Sequence, residues 1–225
     1  MPTAHYDGVA AWYEAEFGPD PAPEVVDVVR RLVGLGDGTC LDVGCGTGFH
    51  LPLLHELGWT LTGVDLSEDQ LRFAHERAGE FAELLRLDAA HLPFEDGTFD
   101  LVFSAFTHTD FEDFAGVVAE ATRVLRSDGR FVYLGLHPCF VGPHSRFVRA
   151  QGVPGLQPGY DDRGRYTEAP GLSPVGLRAK VGAMHLPLGD LLQTFLDAGL
   201  RIEAFEEPIC AGRIYPHWLA LRATR

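Results

Sequence analysis

Long apolar runs are absent from the 225-residue sequence. No stretch approaches the roughly 18 consecutive apolar residues of a membrane-spanning helix, so we expect no membrane partner. The N-terminal Met-Pro-Thr-Ala-His-Tyr-Asp has no basic region followed by an apolar core, and no signal peptide is expected. Because 46% of the residues are apolar, we expect a soluble protein with a substantial core.

Positive charge is scarce. The sequence has 18 Lys and Arg residues against 32 Asp and Glu residues, a formal net charge of −14. Proteins that bind nucleic acids along an extended surface need clustered basic side chains to displace counterions. The charge balance therefore argues against a nucleic-acid partner, and it says nothing about the oligomeric state.

Cysteines are few as well, and they are Cys40, Cys45, Cys139 and Cys210. They form no CxxC pair and no zinc-binding spacing, so we expect no metal site. In the absence of a disulfide framework we expect a reducing compartment, the cytoplasm.

Glycines are concentrated in residues 39–48, Thr-Cys-Leu-Asp-Val-Gly-Cys-Gly-Thr-Gly. This segment predicts a buried strand over 39–43, a turn containing Gly44, Gly46 and Gly48, and a helix over about 49–57. Glycines allow positive φ and let a ligand lie against the backbone. The first turn of the helix would direct free N–H groups toward a carboxylate or phosphate.

Two ligand classes compete for this turn. A dinucleotide loop, G-x-G-x-x-G, would have its third glycine at position 49, where the sequence has Phe49. Asp42, near the end of the strand, would repel a pyrophosphate but would attract an ammonium group. A ligand with both an amino group and a carboxylate therefore fits better than NAD.

The octet Leu-Asp-Val-Gly-Cys-Gly-Thr-Gly resembles the first motif of class I S-adenosylmethionine (SAM) dependent methyltransferases. Asp65 ends the second predicted strand, where an acid accepts hydrogen bonds from ribose hydroxyls. The surrounding Gly-Val-Asp-Leu-Ser-Glu-Asp-Gln-Leu resembles the second motif of the same family. The resemblance implies SAM as the cofactor, with Asp42, Cys45, Asp65 and Leu66 among the residues that bind it.

Three further segments carry the resemblance. A third predicted strand, within residues 83–91, ends at Asp88, and the family implies that Asp88 and the Ala89 amide bind adenine, although an Asp after a strand is often only a turn residue. The run Leu-Pro-Phe-Glu-Asp-Gly-Thr-Phe-Asp then leads into a fourth strand, whose last residue, Ser104, is included in the expected cofactor site. Near the N-terminus, Tyr-Asp-x-x-Ala-x-x-Tyr resembles a cap in which Tyr6 and Tyr13 contact SAM or substrate.

The implied fold is α/β, a Rossmann-like seven-stranded mixed sheet with helices on both faces. Its strand order is 3-2-1-4-5-7-6, with the last strand antiparallel. We expect a single domain over residues 1–225, with an N-terminal cap over 1–20. Residues 137–187 are rich in Gly and Pro and lack long periodicity, and we interpret them as a substrate lid.

Methyl transfer from SAM is an in-line displacement that needs no metal, and a general base helps when the nucleophile is a hydroxyl. His137 and His108 are the first and second candidates for this base, because both leave predicted strands at the carboxyl edge of the sheet. His144 and His185 are further candidates, and a reaction without any base stays open.

The function that the sequence favours is transfer of a methyl group to a small-molecule acceptor, in the group that resembles the ubiquinone/menaquinone-biosynthesis enzymes. The alternatives are a protein or nucleic-acid methyltransferase, a SAM-binding protein of the same fold that transfers no methyl group, and an NAD oxidoreductase. The acidic charge disfavours a macromolecular acceptor, and Phe49 together with Asp42 disfavours NAD.

Overall fold

The computed structural model describes residues 3–17, 21–146, 155–169 and 176–225. Its centre is one seven-stranded sheet. In chain order its strands are β1 Thr39–Val43, β2 Thr60–Asp65, β3 Ala82–Arg86, β4 Phe99–Ala105, β5 Leu125–Leu136, β6 Arg201–Glu206 and β7 Trp218–Thr224.

The strands lie side by side in the order β3-β2-β1-β4-β5-β7-β6. The pairs from β3 to β5 are parallel, whereas β7 runs antiparallel to both of its neighbours. The predicted strand order and the antiparallel last strand are therefore confirmed. Because the parallel strands end at one edge, Asp42 lies beside Gly63 of β2 and Phe103 of β4, near the ends of all three strands.

The helices are α1 Ala10–Phe17, α2 Pro23–Val33, α3 Leu51–Glu56, α4 Glu68–Ala78, α5 Phe114–Val124, α6 Leu177–Val181 and α7 Leu188–Asp197. Side chains alternate across the sheet, so Cys40 of β1 packs with α2, α3 and α4, while Leu41 packs with α5 and α7. The two hydrophobic layers confirm the prediction of helices on both faces. Among the described residues, no helix combines the length and the apolar character needed to cross a membrane.

Some predicted boundaries are wrong. The helix after the glycine turn begins at Leu51 rather than Phe49, because Gly48 has a φ of 76° and the chain needs two more residues to enter the helix. Strand β3 ends at Arg86, so Asp88 lies two residues beyond it. Within the predicted N-terminal cap, the helix begins at Ala10.

The described parts of the insert, residues 137–187, contain regular structure. Gly164–Tyr166 pairs antiparallel with Ala183–His185, and Ser145–Arg146 pairs with Gly155–Leu156. Helix α6 lies between Gly164–Tyr166 and Ala183–His185 in the chain. Residues 147–154 and 170–175 of the insert, and residues 1–2 and 18–20 of the N-terminal segment, lie outside the described residues.

Candidate cofactor and acceptor site

The glycine turn has the backbone that its composition predicts. Gly44, Gly46 and Gly48 have φ angles of 72°, 55° and 76°, in the left-handed region that favours glycine. The N–H groups of Gly44 and Cys45 both donate to the Val64 carbonyl, at 2.9 and 3.0 Å, and this fastens the turn to the end of β2. The turn lies at the carboxyl edge of the sheet, and the contact of these residues with a cofactor stays a prediction.

Gly44 also lies in close contact with the loop that follows β4. A Cβ atom at this position would lie 2.7 Å from Cγ2 of Thr107 and 3.1 Å from the Phe111 ring. The glycine turn and the loop after β4 are therefore packed against each other without room for a side chain.

Two carboxylates lie beside the turn, the buried Asp42 and the partly buried Asp65. Asp65 accepts hydrogen bonds from the backbone N–H groups of Gly46, at 2.9 Å, and Ser67, at 2.8 Å. Burial raises the pKa of Asp65 to about 6, against the opposing effect of these two N–H groups. Burial, with the nearby charge of Asp65, raises the pKa of Asp42 to about 8. A ligand with positive charge would relieve the repulsion between these groups.

Polar atoms around the turn also fit a bound ligand. Thr47 Oγ1 and Gln70 Oε1 are buried and have no hydrogen-bond partner among the described residues. Gln70 Oε1 lies 3.5 Å from the position that a Cβ of Gly46 would occupy, so it faces the turn. Buried polar groups without partners are rare in folded proteins, and a ligand with hydroxyl or amino groups would satisfy them.

The predicted adenine-binding residues adopt a turn. Asp88 Oδ1 accepts a hydrogen bond from the Ala90 N–H at 3.0 Å, and Oδ2 lies 3.1 Å from His91 Nδ1. Ala89 is buried in the α5 side of the core. This geometry is that of an Asx-turn, and the adenine contact of Asp88 and Ala89 stays a prediction.

Ser104 and Leu66 have contacts that join neighbouring strand ends. The Ser104 hydroxyl donates to the Val43 carbonyl at 2.8 Å and lies 2.7 Å from the Thr107 hydroxyl. The Leu66 carbonyl accepts a hydrogen bond from Arg86 Nε at 3.1 Å. Both residues lie where the cofactor is expected, and their direct contact with it stays a prediction.

The N-terminal segment reaches the same edge of the sheet. The Tyr6 hydroxyl donates to Asp110 Oδ1 at 3.2 Å, and the Tyr13 ring meets Tyr6 edge-on, with centroids 5.7 Å apart. Burial, with the charge of Asp110, raises the pKa of Tyr13 to about 12 and also raises the pKa of Tyr6. Both phenols therefore stay protonated at neutral pH and remain hydrogen-bond donors.

His108 follows β4, as predicted, but it is only 2% exposed. Its Nδ1 forms a hydrogen bond with the Tyr133 hydroxyl. Burial, reinforced by the positive charge of Arg178, lowers the pKa of His108 to about 3. The ring is therefore neutral at physiological pH and is a weak base.

His137 follows β5 and is 1% exposed. Its Nδ1 accepts a hydrogen bond from the Cys139 N–H at 3.2 Å, which leaves the proton on Nε2, 2.7 Å from Glu207 Oε1. Both ring nitrogens thus have partners within the protein. The base role of His137 and His108 stays a prediction, and the contacts favour a structural role for both.

Sequence reasoning missed the pairing of Arg178 with Asp110. Arg178 of helix α6 donates through NH1 to Asp110 Oδ1 at 2.9 Å and through NH2 to Thr109 Oγ1 at 2.8 Å. Asp110 therefore joins the insert to the Tyr6 hydroxyl of the N-terminal segment. No local pattern could reveal it, because Arg178 and Asp110 are 68 positions apart.

The backbone conformation of Phe106 was also missed. Phe106 follows β4 directly and is the only non-glycine residue within the described ranges that has a left-handed backbone, with a φ of 62°. Its ring lies 5.8 Å from Trp218 and 6.3 Å from His50, measured between centroids. Strained backbone of this kind is concentrated at functional sites, and Phe106 begins the loop after β4, which packs against the glycine turn at Gly44.

Comparisons with known proteins agree with the resemblance seen in the sequence. Residues 41–133 match the family model described as "Methyltransferase domain". Demethylmenaquinone methyltransferase from Tropheryma whipplei (strain Twist) is 34% identical over 130 residues, which cover 56% of this chain and 54% of that protein. The chain thus spans about half the length of this curated relative.

Solved structures extend the similarity over most of the chain. A SAM-dependent methyltransferase from Mesorhizobium loti has a TM-score of 0.72 and 25% identity, covering 88% of this chain and 96% of its own. The cyclase SpnF has a TM-score of 0.71 and 18% identity, covering 100% of this chain and 97% of its own, and shows a shared fold alone. The resemblance to class I SAM-dependent methyltransferases is confirmed, and the matches support SAM as the ligand of the glycine turn.

Proposed function

We propose that this chain is a SAM-dependent methyltransferase that transfers a methyl group to a small-molecule acceptor. The observation that carries the proposal is the left-handed glycine turn between two carboxylates, the buried Asp42 and the partly buried Asp65. Such a site suits a ligand with an ammonium group and ribose hydroxyls. Both oxygens of Asp65 keep a lone pair after binding backbone N–H groups, so the carboxylate still accepts from ribose.

The residues of this chain hold and orient the reactants. SAM bound here would supply a methyl group activated by its sulfonium for in-line transfer to the acceptor. Asp42 would attract the ammonium group, Asp65 would hold the ribose hydroxyls, and the glycine turn would let the ligand approach the backbone. Holding two reactants in the correct geometry is the main catalytic contribution that such a reaction needs.

The proposal of a small-molecule acceptor rests on the segments that cover the carboxyl edge of the sheet. Tyr6 from the N-terminal segment and Arg178 from the insert meet at Asp110, directly beyond β4. The Met184 N–H also donates to the Thr109 carbonyl at 2.7 Å, so the insert is fastened over the same loop. We interpret the N-terminal segment as a cap and the insert as a substrate lid, a closure that excludes water and leaves little room for a macromolecule. The relative named demethylmenaquinone methyltransferase supports a small acceptor.

A side-chain base is not required by this proposal. His137 has partners at both ring nitrogens, and His108 has a pKa of about 3. We infer that the acceptor reaches the methyl group with a nucleophilic lone pair of its own, or as an anion formed before transfer.

Calorimetric titration tests the proposal. SAM and S-adenosylhomocysteine (SAH) should bind the wild-type protein, and NAD should not. The variant Asp42→Asn should bind both adenosyl compounds about 10-fold or more weakly, because the charge that faces the ammonium is lost. Asp27→Asn, an exposed change on helix α2, is the matched control and should bind like wild type. Absence of binding by the wild type would contradict the proposal.

Turnover is tested separately from binding. Incubation with SAM labelled in the methyl group, and with a panel of small phenols, carboxylic acids and amines, should yield a labelled product. Tight SAM binding without any labelled product across the panel would favour a SAM-binding protein that transfers no methyl group.

A further inference from the structure

Arg165 of the insert has an unused hydrogen-bonding edge. Its NH1 donates to the Val181 carbonyl, and its NH2 makes a long contact of 3.4 Å with the Asp110 carbonyl. Its Nε is buried and has no hydrogen-bond partner among the described residues. The side chain as a whole is only 23% exposed, so water access to this edge is restricted.

The Nε and NH2 groups of an arginine together form the edge that binds a carboxylate through two parallel hydrogen bonds. In Arg165, Nε has no hydrogen-bond acceptor among the described residues, and NH2 has only the distant Asp110 carbonyl. A buried donor without a partner destabilises a protein by about 1–3 kcal/mol, so its presence calls for a ligand or another explanation.

Among the described residues, the carboxylate paired with Arg165 Nε is at the surface. Glu112 Oε1 lies 3.8 Å from Arg165 Nε, beyond hydrogen-bond distance, and the Glu112 side chain is 60% exposed. The same oxygen lies 3.5 Å from His5 Nε2. An exposed pair at this distance contributes little to stability, and Glu112 is free to leave the edge.

The charges of the neighbouring groups favour an anion. Arg178, with a side chain 15% exposed, takes the Asp110 carboxylate as its partner. Within the described residues, the Asp110 carboxylate is therefore already paired with Arg178, and the carboxylate that lies near Arg165, that of Glu112, faces solvent. Tyr6 and Tyr166 add no charge, since burial raises the pKa of both.

The position of this edge connects it to the proposed reaction. Arg165 NH2 lies against the backbone of Asp110, the residue that Tyr6 and Arg178 bind directly beyond β4. The charge of Asp110 also contributes to the raised pKa of Asp65, which places these groups in one electrostatic environment. An acceptor bound at the carboxyl edge of β4 is therefore within reach of Arg165.

We propose that the Nε and NH2 edge of Arg165 binds an oxyanion of the methyl acceptor, a carboxylate, and that Glu112 yields this edge when the acceptor arrives. This inference rests on the proposed function and names the substrate class: small carboxylic acids that also carry the nucleophile. Arg165 is then a residue that determines specificity and orients the acceptor.

The test uses benzoate, phenyl phosphate and benzyl alcohol as probes, titrated into the SAH-saturated protein. Benzoate should bind, and the neutral benzyl alcohol should bind about 10-fold or more weakly, since the charged hydrogen bonds are lost. Phenyl phosphate separates the two oxyanion classes, and binding of it at least 10-fold tighter than benzoate would overturn the assignment to a carboxylate.

Benzoate titration of three variants tests whether the anion binds at Arg165. Arg165→Gln should weaken benzoate binding about 10-fold or more. Glu112→Gln should strengthen it about 2-fold or more, because a competing carboxylate is removed. Arg163→Gln, which changes an arginine that is 56% exposed and paired with Asp190, is the control and should leave benzoate binding unchanged.

Unchanged benzoate affinity in Arg165→Gln, or weaker affinity in Glu112→Gln, would overturn the inference and leave Arg165 and Glu112 as a structural pair. Arg165→Lys controls for misfolding, because it keeps the positive charge at this position. It lacks the paired N–H groups of the guanidinium edge, so it should bind benzoate more weakly than wild type does. The SAH titration of each variant separates the two proposals. If Arg165→Gln binds both SAH and benzoate like wild type, only the role of Arg165 is contradicted. If the wild-type protein does not bind SAH, the proposed function itself is contradicted.

Discussion

Two halves of the carboxyl edge are held together in different ways. The cofactor half, formed by the ends of β1 and β2 with the glycine turn, depends on backbone groups: Gly44 and Cys45 donate to Val64, and Gly46 donates to Asp65. The acceptor half, formed by the loop after β4 with the N-terminal segment and the insert, depends on side chains, and its central contacts join Asp110 to Tyr6 and Arg178.

This difference predicts different sensitivities to mutation. The cofactor half should tolerate no added side-chain volume at its glycines, because the backbone itself forms the site. The acceptor half should tolerate changes of shape but should respond strongly to the loss of a single charged group. The experiments that follow are ordered from the largest expected effect to the smallest.

Gly44→Ala should have the largest effect. The new Cβ would combine a left-handed φ of 72° with a 2.7 Å approach to Thr107, so we expect a loss of stability of about 3–5 kcal/mol and no detectable SAH binding. Gly199→Ala is the matched control, because its φ is 84° but a Cβ there would meet no atom within 4 Å. Urea unfolding and calorimetry would measure both variants. Equal destabilisation by the two changes would show that steric contact with Thr107 contributes nothing.

Asp110→Ala should have the next largest effect, since it leaves the guanidinium of Arg178 without its carboxylate and the Tyr6 hydroxyl without its acceptor. We expect a loss of unfolding free energy of about 2–3 kcal/mol, below the range for fully buried pairs, because the Asp110 side chain is 25% exposed. Asp190→Ala breaks the exposed pair with Arg163 and should cost about 0–1 kcal/mol. A similar loss in both variants would mean that Asp110 is not the centre of the acceptor half.

The same difference explains how much the sequence could predict. The glycine turn, Asp42 and Asp65 were found because strands, turns and their spacing are local features that sequence patterns record. The order of strands β1 to β5 and the antiparallel β7 followed from the resemblance, and both are confirmed. Tyr6 was expected to cover the site, but its hydrogen bond to Asp110, 104 positions away, was not predicted, because such a pairing depends on tertiary packing.

The burial of individual side chains also could not be predicted from the sequence. His108 and His137 were placed correctly at the ends of β4 and β5, but the sequence could not show that both rings are buried and bonded within the protein. The left-handed φ of Phe106 has no signature in residue type, since aromatic residues rarely adopt it. The structure was therefore needed to show which side chains of the expected acceptor site are buried and which partners they bind.

Asp42→Asn should change the pH dependence of stability in the cofactor half. Burial raises the pKa of Asp42 from 3.8 to about 8, so its contribution to stability is fully present below pH 3.8 and is lost as the pH rises toward about 8. At pH 8 to 9 the ligand-free variant should therefore be more stable than wild type, by about 1–3 kcal/mol, although it binds SAM more weakly. Urea unfolding between pH 4 and 9 measures this difference. A variant less stable than wild type at pH 9 would contradict the stated environment of Asp42.

His137→Asn should have the smallest effect, and it tests whether the acceptor half contains a base. The Asn side chain keeps an oxygen able to accept from the Cys139 N–H but removes the titratable ring, so we expect turnover to fall by less than about 10-fold, with an unchanged pH profile. The structural reason is that Nδ1 and Nε2 already bind Cys139 and Glu207. His75→Asn, on the surface of helix α4, is the control. A fall of about 100-fold or more, with loss of the pH dependence of turnover, would make His137 the base and would show that the acceptor half rearranges before methyl transfer.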